Sequence, residues 1–435
     1  MGRTVRGRKC ERRIEYAPLP SQAKFHRCRA RFKGFSGPIG SGKSEALCQE
    51  AIKLSYLNSG RLGLIGAPTY PMLRDATQTA LVAILERNGI PYALHKSENV
   101  LLMKDTGSRI LLRSLEEYER LRGTNLAWFG IDELTYVREE AWLRLEGRLR
   151  DPRARRLSGF AVWTPKGHDW VYRRFVENPA PDYQVILAKP MENRHILEKV
   201  PDFYERLRHT YDERFFRQEV LGEYLNIEQG RVYEPFRRDE HVCPVELDPD
   251  QKLLWALDFN VDPMCSLVAQ VADEVVQVLD EIVLSRAGTE QACEEFCNRY
   301  GSHEKGVTVY GDASGEHSRT SGPTDYAIIR RYLARAGVRN VRVVVPRANP
   351  RVRDRVAAVN GALKSAAGEV RLFIHPRCRE LIRDLEEVVY KENSSVIDKE
   401  RDPRRTHLSD ALGYLIWQER QGRREFGEQK LRLLG

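Results

Sequence analysis

The sequence has no apolar run long enough to cross a bilayer. A membrane-spanning helix needs about 18 consecutive apolar residues, and no stretch of this chain approaches that length. The N-terminus is basic, but it lacks the apolar segment of a secretion signal. We therefore expect a protein of the cytoplasm that has no membrane partner.

The chain also lacks a Cys-x-x-Cys pair and any internal repeat. Its eight cysteines are scattered, which favours free thiols in a reducing compartment over a disulfide framework. Cys293 and Cys297 lie one helical turn apart, a spacing that could serve a metal site. Because no histidine pair accompanies them, buried thiols are the favoured interpretation.

Length and positive charge are what the chain does have. Its 435 residues are enough for two or three domains, each with its own core. There are 71 Lys and Arg against 62 Asp and Glu, and six of the basic residues fall within the first thirteen. The net charge of +9 favours an anionic partner, and nucleic acid over a membrane surface. A solubilising surface would give the same composition.

One short segment matches a phosphate-binding pattern in full. Residues 37–44 read Gly-Pro-Ile-Gly-Ser-Gly-Lys-Ser, which fits G-x-x-x-x-G-K-[ST]. In such a loop the backbone N–H groups surround a polyphosphate, Lys43 reaches the β- and γ-phosphates, and the Ser44 hydroxyl binds Mg²⁺. The predicted nucleotide contacts here are Gly37, Pro38, Ile39, Gly40, Ser41, Gly42, Lys43 and Ser44.

The surroundings of this segment support a nucleotide loop over a chance Gly/Ser turn. Residues 34–36 resemble the end of a strand, and residues 45–55 repeat apolar positions at helical spacing. From residue 16 to about 187, strand-length apolar runs alternate with helical patterns, which predicts a largely parallel sheet covered by helices. The strand candidates are residues 62–66, 110–112, 126–131 and 160–163, and one helix candidate is residues 72–87.

Four further residues are candidates for the nucleotide site. Asp132 and Glu133 follow an apolar run, so Asp132 could hold Mg²⁺ through water and Glu133 could activate the attacking water. The alternative for Asp132 is a helix N-cap, because residues 137–148 have a helical pattern. Thr164, in Thr-Pro-Lys-Gly after the next strand, could sense the γ-phosphate or belong only to a turn. Gln22, upstream of the loop, could contact adenine or be a solvated loop residue.

The second half of the chain has a different order of elements. Residues 226–250 contain Gly and several Pro residues and are predicted to be a linker. Three strand candidates follow in succession, and helices and strands then alternate, which is the order of an RNase H-like fold. The strands are residues 253–259, 265–271, 275–283, 307–311 and 341–345, and the helices are residues 289–300, 324–337 and 351–366.

Two aspartates end apolar strands in this half, and a third lies on a predicted helix. Asp258 and Asp312 close their strands, and Asp410 shares a helix face with His407, opposite the apolar face. Buried acids at strand ends are costly unless a cation balances them. Three such carboxylates could hold two Mg²⁺ or Mn²⁺ ions for phosphodiester cleavage. Each could instead be a turn or cap residue.

Accessory residues and DNA contacts are less constrained by the sequence. Arginines recur in residues 150–156 and 347–355, and either segment could contact phosphates or be a solvated face. Acids that could assist the second site are Asp262, Asp280, Glu281 and Asp398.

The whole pattern resembles the large terminase subunit of tailed bacteriophages, from about residue 16 to 420. The residues that carry the resemblance are the loop 37–44, Asp132-Glu133, Thr-Pro-Lys-Gly at 164–167, Leu-Asp-Phe at 257–259, Gly-Asp at 311–312 and His-Leu-Ser-Asp-Ala-Leu at 407–412. The resemblance implies an ATP-driven motor that pumps double-stranded DNA into a procapsid, and a nuclease that cuts concatemeric genomes. It also implies a portal protein and a small terminase subunit as partners, a ring that is commonly pentameric, and transient docking on the portal in the host cytoplasm.

By this resemblance Gln22 becomes an adenine contact and Thr164 a coupling residue. The sequence departs from many relatives at one point, because no arginine lies inside the loop 37–44. The arginine that reaches the γ-phosphate is therefore unassigned, with four candidates: Arg87, Arg109, Arg113 and Arg122.

The sequence thus predicts six segments, which are a basic arm (1–15), a P-loop ATPase core (16–190), a helical lid (191–225), a linker (226–250), an RNase H-like nuclease domain (251–420) and a basic tail (421–435). Two other functions remain open at this point. One is a helicase-nuclease of DNA repair, and the other is an inactive, prophage-derived scaffold that binds a portal.

Overall fold

The structure is a computed structural model that describes residues 14–121, 123–225, 230–259, 262–316, 322–346, 348–391 and 396–432. The chain forms two compact units. Of the described residues, unit 1 takes those up to 204 and again 217–225, and unit 2 takes 205–216 and those from 230 onward. The segment predicted as one lid, residues 191–225, is therefore divided between them.

Several predicted features lie outside the described residues. They are residues 1–13 of the basic arm, Arg122, Arg347, residues 226–229 of the linker and residues 433–435 of the tail.

In the described part of unit 1, eight strands form one sheet in the order β3-β4-β5-β2-β6-β7-β1-β8. All neighbouring pairs are parallel except β3–β4 and β4–β5. Their bounds are β1 (Phe32–Ser36), β2 (Leu62–Ala67), β3 (Tyr92–His95), β4 (Val100–Met103), β5 (Arg109–Ser114), β6 (Trp128–Ile131), β7 (Ser158–Trp163) and β8 (Tyr183–Leu187). The carboxyl ends of the parallel strands therefore share one edge.

The first nine helices of the described chain are mostly short. They are α1 (Pro20–Arg27), α2 (Lys43–Leu57), α3 (Tyr70–Met72), α4 (Thr79–Arg87), α5 (Glu139–Glu146), α6 (Trp170–Tyr172), α7 (Arg194–Lys199), α8 (Phe203–Thr210) and α9 (Glu213–Glu219). Helices α8 and α9 cross the boundary between the two units. Stretches of π-helix cover Leu73–Gln78 and Arg173–Glu177, and 3₁₀ turns cover Tyr118–Leu121 and Leu134–Tyr136. The helix predicted over residues 72–87 is thus interrupted by a π-helical stretch.

Apolar side chains cover both faces of the unit 1 sheet. Strand β6 shows the division, because Trp128 packs in one core cluster with α2, while Phe129 and Ile131 pack in the other with α5. A strand that is buried on both faces has a nearly continuous apolar run. This is why the strand before Asp132 could be identified from its composition.

In the described part of unit 2, six strands form a mixed sheet in the order β13-β12-β9-β10-β11-β14. Strands β9, β10 and β11 are antiparallel neighbours, whereas β12 pairs in parallel with both β9 and β13. Their bounds are β9 (Leu253–Asp258), β10 (Met264–Ala272), β11 (Val275–Leu284), β12 (Val307–Tyr310), β13 (Val341–Val343) and β14 (Leu372–Ile374).

The remaining helices flank this sheet. They are α10 (Arg238–His241), α11 (Thr289–Tyr300), α12 (Asp325–Arg335), α13 (Val352–Leu363), α14 (Arg379–Glu387) and α15 (His407–Arg432), with a 3₁₀ turn at Ala313–Glu316. The α/β class and the three successive strands are confirmed. The segment predicted as a tail continues helix α15 through Arg432, and no prediction was made for β14 and α14.

The core of unit 2 explains the position of α15. Leu408, Ala411, Leu415 and Ile416 of α15 pack in one cluster with Ala256 of β9, as the helical spacing predicts. The side chains of Leu253, Trp255 and Leu257 lie in the cluster on the opposite face. Helix α15 is therefore held against the face of β9 that carries Ala256.

Candidate functional sites

The loop of residues 37–44 joins the carboxyl end of β1 to the start of α2. Gly40 and Gly42 have φ angles of 76° and 77°, a left-handed backbone conformation that residues other than glycine rarely adopt. Helix α2 begins at Lys43, so its first N–H groups have no partner within the helix and face the loop. This is the arrangement in which a helix N-terminus binds phosphate.

The Lys43 ammonium is held inside the loop. Its Nζ donates to the carbonyl of Gly37 at 3.1 Å and to that of Pro38 at 3.0 Å. Burial lowers the pKa of Lys43, and the nearby charges of Glu133 and Asp132 act in the opposite direction. The lysine is therefore already close to both predicted carboxylates.

Ser41 adds a spare donor to the same loop. Its Oγ is buried and has no hydrogen-bond partner among the described residues. A Cβ placed on Gly37 would lie 2.5 Å from that oxygen, so only glycine leaves room for it. Buried hydroxyls are normally paired, and the unpaired one indicates that the loop is shaped for a ligand with acceptor oxygens.

Asp132 and Glu133 lie at the carboxyl end of β6, on the same edge as the loop. Asp132 is buried, and one of its oxygens accepts from Thr77 Oγ1 at 2.7 Å. Burial and the neighbouring Glu133 raise the pKa of Asp132 to about 6. The helix predicted over residues 137–148 is observed as α5, whose N-cap is Arg138, so the N-cap alternative does not apply to Asp132.

The Glu133 backbone is strained. Its φ of 50° is left-handed, which is uncommon for a residue with a side chain of this size. Such strain persists only when the surroundings enforce it, and it is concentrated at functional sites. The conformation fixes the direction of the Glu133 side chain relative to the loop.

Thr164 and Gln22 both lie close to these elements. Thr164 directly follows β7, and its carbonyl accepts from Thr135 Oγ1 at 3.3 Å, which connects the turn after β6 to the end of β7. Gln22 is not in a loop, as one alternative had it, but is buried on α1. Its Oε1 accepts from Leu19 N at 2.8 Å, and its Nε2 donates to the Gly42 carbonyl at 2.9 Å.

Two contacts to the loop were not foreseen. Asn193 Nδ2 donates to the Gly40 carbonyl at 2.6 Å, and Ile39 N donates to the Glu219 carbonyl at 2.6 Å. Thr77 was also missed, because no sequence signal marks the π-helical stretch that carries it. These contacts depend on residues far from the loop in sequence.

The candidate arginines differ in position. Arg87 pairs with Glu45 of α2 at 2.9 Å. Arg113 donates to the carbonyls of Glu98 and Asn99, which holds it against the neighbouring hairpin. Arg109 begins β5 and so lies at the sheet edge opposite the loop.

The three predicted aspartates of unit 2 come from neighbouring elements. The parallel register pairs Ala256 of β9 with Tyr310 of β12, and Asp258 and Asp312 each lie two residues further along. Asp410 is in the first turn of α15, which packs on the same face. All three are buried. Burial raises the pKa of Tyr414, and the charges of Asp410, Asp312 and Asp258 raise it further, so all three acids act electrostatically on the same hydroxyl.

Asp258 and Asp312 have different hydrogen-bond partners. His407 Nδ1 lies 3.0 Å from an Asp258 oxygen. Burial raises the pKa of Asp258, and the hydrogen bond to Asp258 raises that of His407. Asp312 accepts from the backbone and hydroxyl of Ser314 at 2.7 Å and 2.5 Å, which orders the turn after β12.

Asp410 is bonded to two cationic side chains. Arg355 Nη2 lies 3.0 Å from Oδ1, and Lys399 Nζ lies 2.9 Å from Oδ2. The sequence places Asp410 on the correct helix face, but it does not predict these partners. Both carboxylate oxygens are thus already engaged by positive charge.

The arrangement of these acids does not form a cation cage. Among the residues that the structure describes, no group of three or more His, Cys, Asp or Glu side chains is placed to hold a metal ion. The chemistry of three carboxylates suits Mg²⁺ or Mn²⁺, but Arg355 and Lys399 take the positions that face Asp410. The metal-ligand assignments of Asp258, Asp312 and Asp410 therefore stay predictions.

The four acids predicted as accessories have other partners. Asp280 binds Arg299 at 2.9 Å, and Glu281 accepts from the N–H groups of Glu380 and Leu381 at the start of α14. Asp262 accepts from Arg286 N at 3.2 Å, and Asp398 accepts from Glu400 N at 3.2 Å.

Asp384 of α14 is a buried acid that was not predicted. It accepts from Ser409 N at 3.2 Å and lies 3.3 Å from Arg405, so it supports the first turn of α15. Burial raises the pKa of Asp384 to about 7. Only the amphipathic pattern of residues 379–387 could have indicated the helix that carries it.

Comparisons with known proteins agree with both halves of the fold. Residues 35–238 match the family described as terminase large subunit, T4likevirus-type, N-terminal, and residues 247–419 match the terminase RNaseH-like domain. A phage PBSX terminase large subunit of Bacillus subtilis strain 168 is 25% identical over 171 residues. That alignment covers 39% of this chain and 39% of the relative, so it spans well under two thirds of the relative's length.

Solved structures show the same fold over most of the chain. A large terminase from a thermophilic bacteriophage superposes with a TM-score of 0.70 and 18% identity, covering 92% of this chain and 98% of that one. Another crystal form of the same protein, which contains ADP, gives a TM-score of 0.70 and 19% identity over the same shares. None of the helices in the described ranges is both long enough and apolar enough to cross a membrane.

Proposed function

The chain belongs to the family of terminase large subunits, and from this premise we propose that it is the ATP-driven motor and nuclease of phage DNA packaging. The motor would translocate double-stranded DNA into a procapsid, and the nuclease would cut concatemeric DNA. The observation that carries the proposal is the pairing of two sites. Unit 1 joins a phosphate-binding loop to Asp132 and Glu133, and unit 2 gathers three aspartates at parallel strand ends and on α15. No comparison supports a repair helicase-nuclease or an inactive scaffold.

The roles in the ATPase site follow from what each group touches. Lys43 would exchange the carbonyls of Gly37 and Pro38 for phosphate oxygens, and the Ser41 hydroxyl would gain an acceptor. Ser44 and Asp132 are the proposed holders of Mg²⁺, which would neutralise phosphate charge when bound. Glu133 would orient and deprotonate the attacking water.

Gln22 and Thr164 have supporting roles in the same proposal. Gln22 is bonded to Gly42, so a nucleotide base bound beside α1 would be linked directly to the phosphate loop. Thr164 is bonded through its carbonyl to the turn after Glu133 and would transmit the state of the γ-phosphate along that turn.

In the nuclease site, Asp258, Asp312 and Asp410 are the proposed ligands of Mg²⁺ or Mn²⁺. His407 would orient Asp258 through the bond to its Nδ1. The proposed partners are DNA, a portal protein and a small terminase subunit. We further propose a ring, commonly a pentamer, that docks transiently on the procapsid portal in the host cytoplasm.

The test is to inactivate the two sites separately in the full chain. Lys43→Ala should lower ATP hydrolysis by about 100-fold or more and leave Mn²⁺-dependent plasmid cutting intact, because it removes a phosphate contact only. Asp258→Asn should abolish Mn²⁺-dependent plasmid cutting and leave ATP hydrolysis intact. ATP hydrolysis at the wild-type rate by Lys43→Ala would discard the motor assignment.

The remaining aspartates are tested in the same assay. Asp312→Asn and Asp410→Asn should each abolish cutting without a change in ATP hydrolysis. A variant that cuts plasmid like wild type would remove its residue from the nuclease site. Asp280→Asn is a matched control, because Asp280 binds Arg299 and Tyr300 and is not one of the three acids.

A further inference from the structure

The last part of unit 1 lies against the phosphate loop. Residues 219–224, here called the strap, continue the chain from the end of α9. The Glu219 carbonyl accepts from Ile39 N at 2.6 Å. A Cβ on Gly222 would lie 3.2 Å from the Pro38 ring, so the strap backbone is in close contact with the loop. Two points of the strap therefore hold residues 38 and 39 from outside.

The strap ends at Tyr224, whose hydroxyl joins the ends of two strands. Ser36 and Trp163 are the last residues of β1 and β7, and they are partners in the parallel register. The Tyr224 hydroxyl accepts from Trp163 Nε1 at 2.9 Å and lies 2.7 Å from Ser36 Oγ. The phosphate loop begins at the residue after Ser36, and Thr164 follows Trp163. One hydroxyl is thus bonded at the base of both segments.

The Tyr224 side chain is fixed by its surroundings. Burial raises the pKa of Tyr224 to about 12, so the hydroxyl stays protonated at neutral pH and can both accept and donate. The centre of its ring lies 4.9 Å from that of Tyr172. Ser36 and Trp163 are both buried, and a buried donor that loses its acceptor is costly. The two strand ends therefore favour the observed position of the strap.

We propose that Tyr224 is a positioning residue, which holds the phosphate loop in the shape that binds nucleotide. This inference rests on the proposed ATPase function. The hydroxyl acts through Ser36 and Trp163, while the Glu219 carbonyl holds Ile39. Without the hydroxyl the loop would populate other shapes, and the apparent nucleotide affinity would fall with the fraction of molecules that keep the competent shape.

The first measurement is the binding of ADP to the full chain by calorimetry. Tyr224→Phe removes the hydroxyl and keeps the ring. It should bind ADP about fivefold more weakly than wild type, the factor that one hydrogen bond of ordinary strength represents. KM for ATP should rise with it, whereas kcat should stay within about twofold of wild type, because bound nucleotide restores the loop. A fall in kcat at unchanged KM would indicate only a loss of folded protein and would overturn the inference.

Tyr183→Phe is the matched control. The Tyr183 hydroxyl also accepts from a buried indole, that of Trp142, at 2.8 Å. Tyr183 begins β8 and pairs with Phe32 at the start of β1, so it lies at the edge of the sheet opposite the loop. Its ADP affinity should stay within about twofold of wild type, and urea unfolding compares the stability of the two variants. Equal weakening of ADP binding in both would reflect general destabilisation and contradict the positioning role.

Ser36→Ala tests the other side of the same contact. It should weaken ADP binding by about threefold, because it removes one of the two hydrogen-bond partners of the Tyr224 hydroxyl. The double variant should bind ADP no more weakly than Tyr224→Phe, since both changes break one contact. Effects that multiply in the double variant would show that the two side chains act separately, which is incompatible with the proposal.

Two further outcomes separate the inference from the proposed function. If wild type and Tyr224→Phe bind ADP equally well, the strap does not position the loop, and the ATPase assignment stands. Ser36→Ala decides in the same way if Tyr224→Phe does not fold. If wild type does not bind ADP, the inference and the proposed ATPase function both fail.

Discussion

Three buried acids show that the neighbours of a carboxyl decide its chemistry in this chain. Asp132, Asp384 and Glu50 are all buried. Burial raises the pKa of Asp132 to about 6 and that of Asp384 to about 7. Burial also acts to raise the pKa of Glu50, but a hydrogen bond from His26 and the charges of Lys33 and Lys53 lower it to about 2. The first two carboxyls are poised to change charge near neutral pH, whereas Glu50 is a permanent anion.

At the residue scale, Glu133→Gln should separate nucleotide binding from hydrolysis. The amide keeps the size of the side chain but cannot accept a proton from water. We expect kcat for ATP hydrolysis to fall by about 100-fold or more, the usual contribution of a general base, with KM within about threefold of wild type. Steady-state kinetics with purified full-length protein measures both values. A large rise in KM at normal kcat would instead assign Glu133 to binding.

Asp384 gives a prediction for the dependence of stability on pH. A carboxyl whose pKa is higher in the folded state binds more protons when folded, so its contribution to stability falls as pH rises. With a folded pKa of about 7 and an ordinary value of 3.8, the change falls between about pH 4 and pH 7. The Asp384→Asn variant should therefore gain stability relative to wild type across that window, at up to about 1.4 kcal/mol per pH unit.

Urea unfolding of wild type and of Asp384→Asn at several pH values measures the difference in their free energies of unfolding. Asn keeps an acceptor for Ser409 N, so the start of α15 should survive the change. A stability difference that stays constant from pH 4 to pH 7 would contradict the raised pKa of Asp384.

At the element scale, Glu50 joins three pieces of unit 1. It lies on α2 and binds Lys33 of β1 at 2.8 Å and His26 of α1 at 2.7 Å. Lys33 also donates to the Phe25 carbonyl at 2.9 Å. Both Lys33 and Glu50 are fully buried. The network therefore fixes the helix that starts at the phosphate loop against the strand that precedes it.

Removing the Glu50 charge alone should lower the free energy of unfolding more than removing the charges of both Glu50 and Lys33. Glu50→Gln leaves the buried Lys33 charge uncompensated and should destabilise the protein by about 3–5 kcal/mol. The double variant Lys33→Met, Glu50→Leu should recover most of that loss, because two apolar side chains need no partner. Chemical denaturation followed by tryptophan fluorescence compares the variants. If the effects of Lys33→Met alone and Glu50→Leu alone simply added in the double variant, the pair would not be coupled.

Several elements could be predicted from the sequence because their signals are local. An apolar run that ends in an acid identifies the strands before Asp132 and Asp258, and glycine spacing identifies the loop of residues 37–44. Strand β14 was missed because it has only three residues, and helix α14 was missed although residues 379–387 carry an amphipathic pattern. The pairing of Asp410 with Arg355 and Lys399 could not be foreseen, since it depends on contacts that no local pattern encodes.

At the scale of the whole molecule, the net charge is +9, but only some of the basic side chains are exposed and available to bind DNA. Within residues 351–355, Arg351 is the exposed arginine, whereas Arg355 is buried against Asp410 and Arg353 lies 5.1 Å from the centre of the Phe215 ring. Within residues 150–156, Arg153 and Arg155 have exposed side chains. Residues 150–156 are therefore the better candidate for contact with the phosphates of DNA.

The dependence of DNA binding on salt tests this division. Each neutralised phosphate contributes about 0.9 to the slope of log K against log salt concentration. Replacing Arg153 and Arg155 together by Ala should therefore lower the slope by about two and weaken binding equally for all DNA sequences. Arg74→Ala is the control, because Arg74 is exposed but already paired with Asp75 at 2.6 Å. An unchanged slope in the double variant would show that Arg153 and Arg155 do not contact the phosphates of DNA, since lost phosphate contacts reduce counterion release.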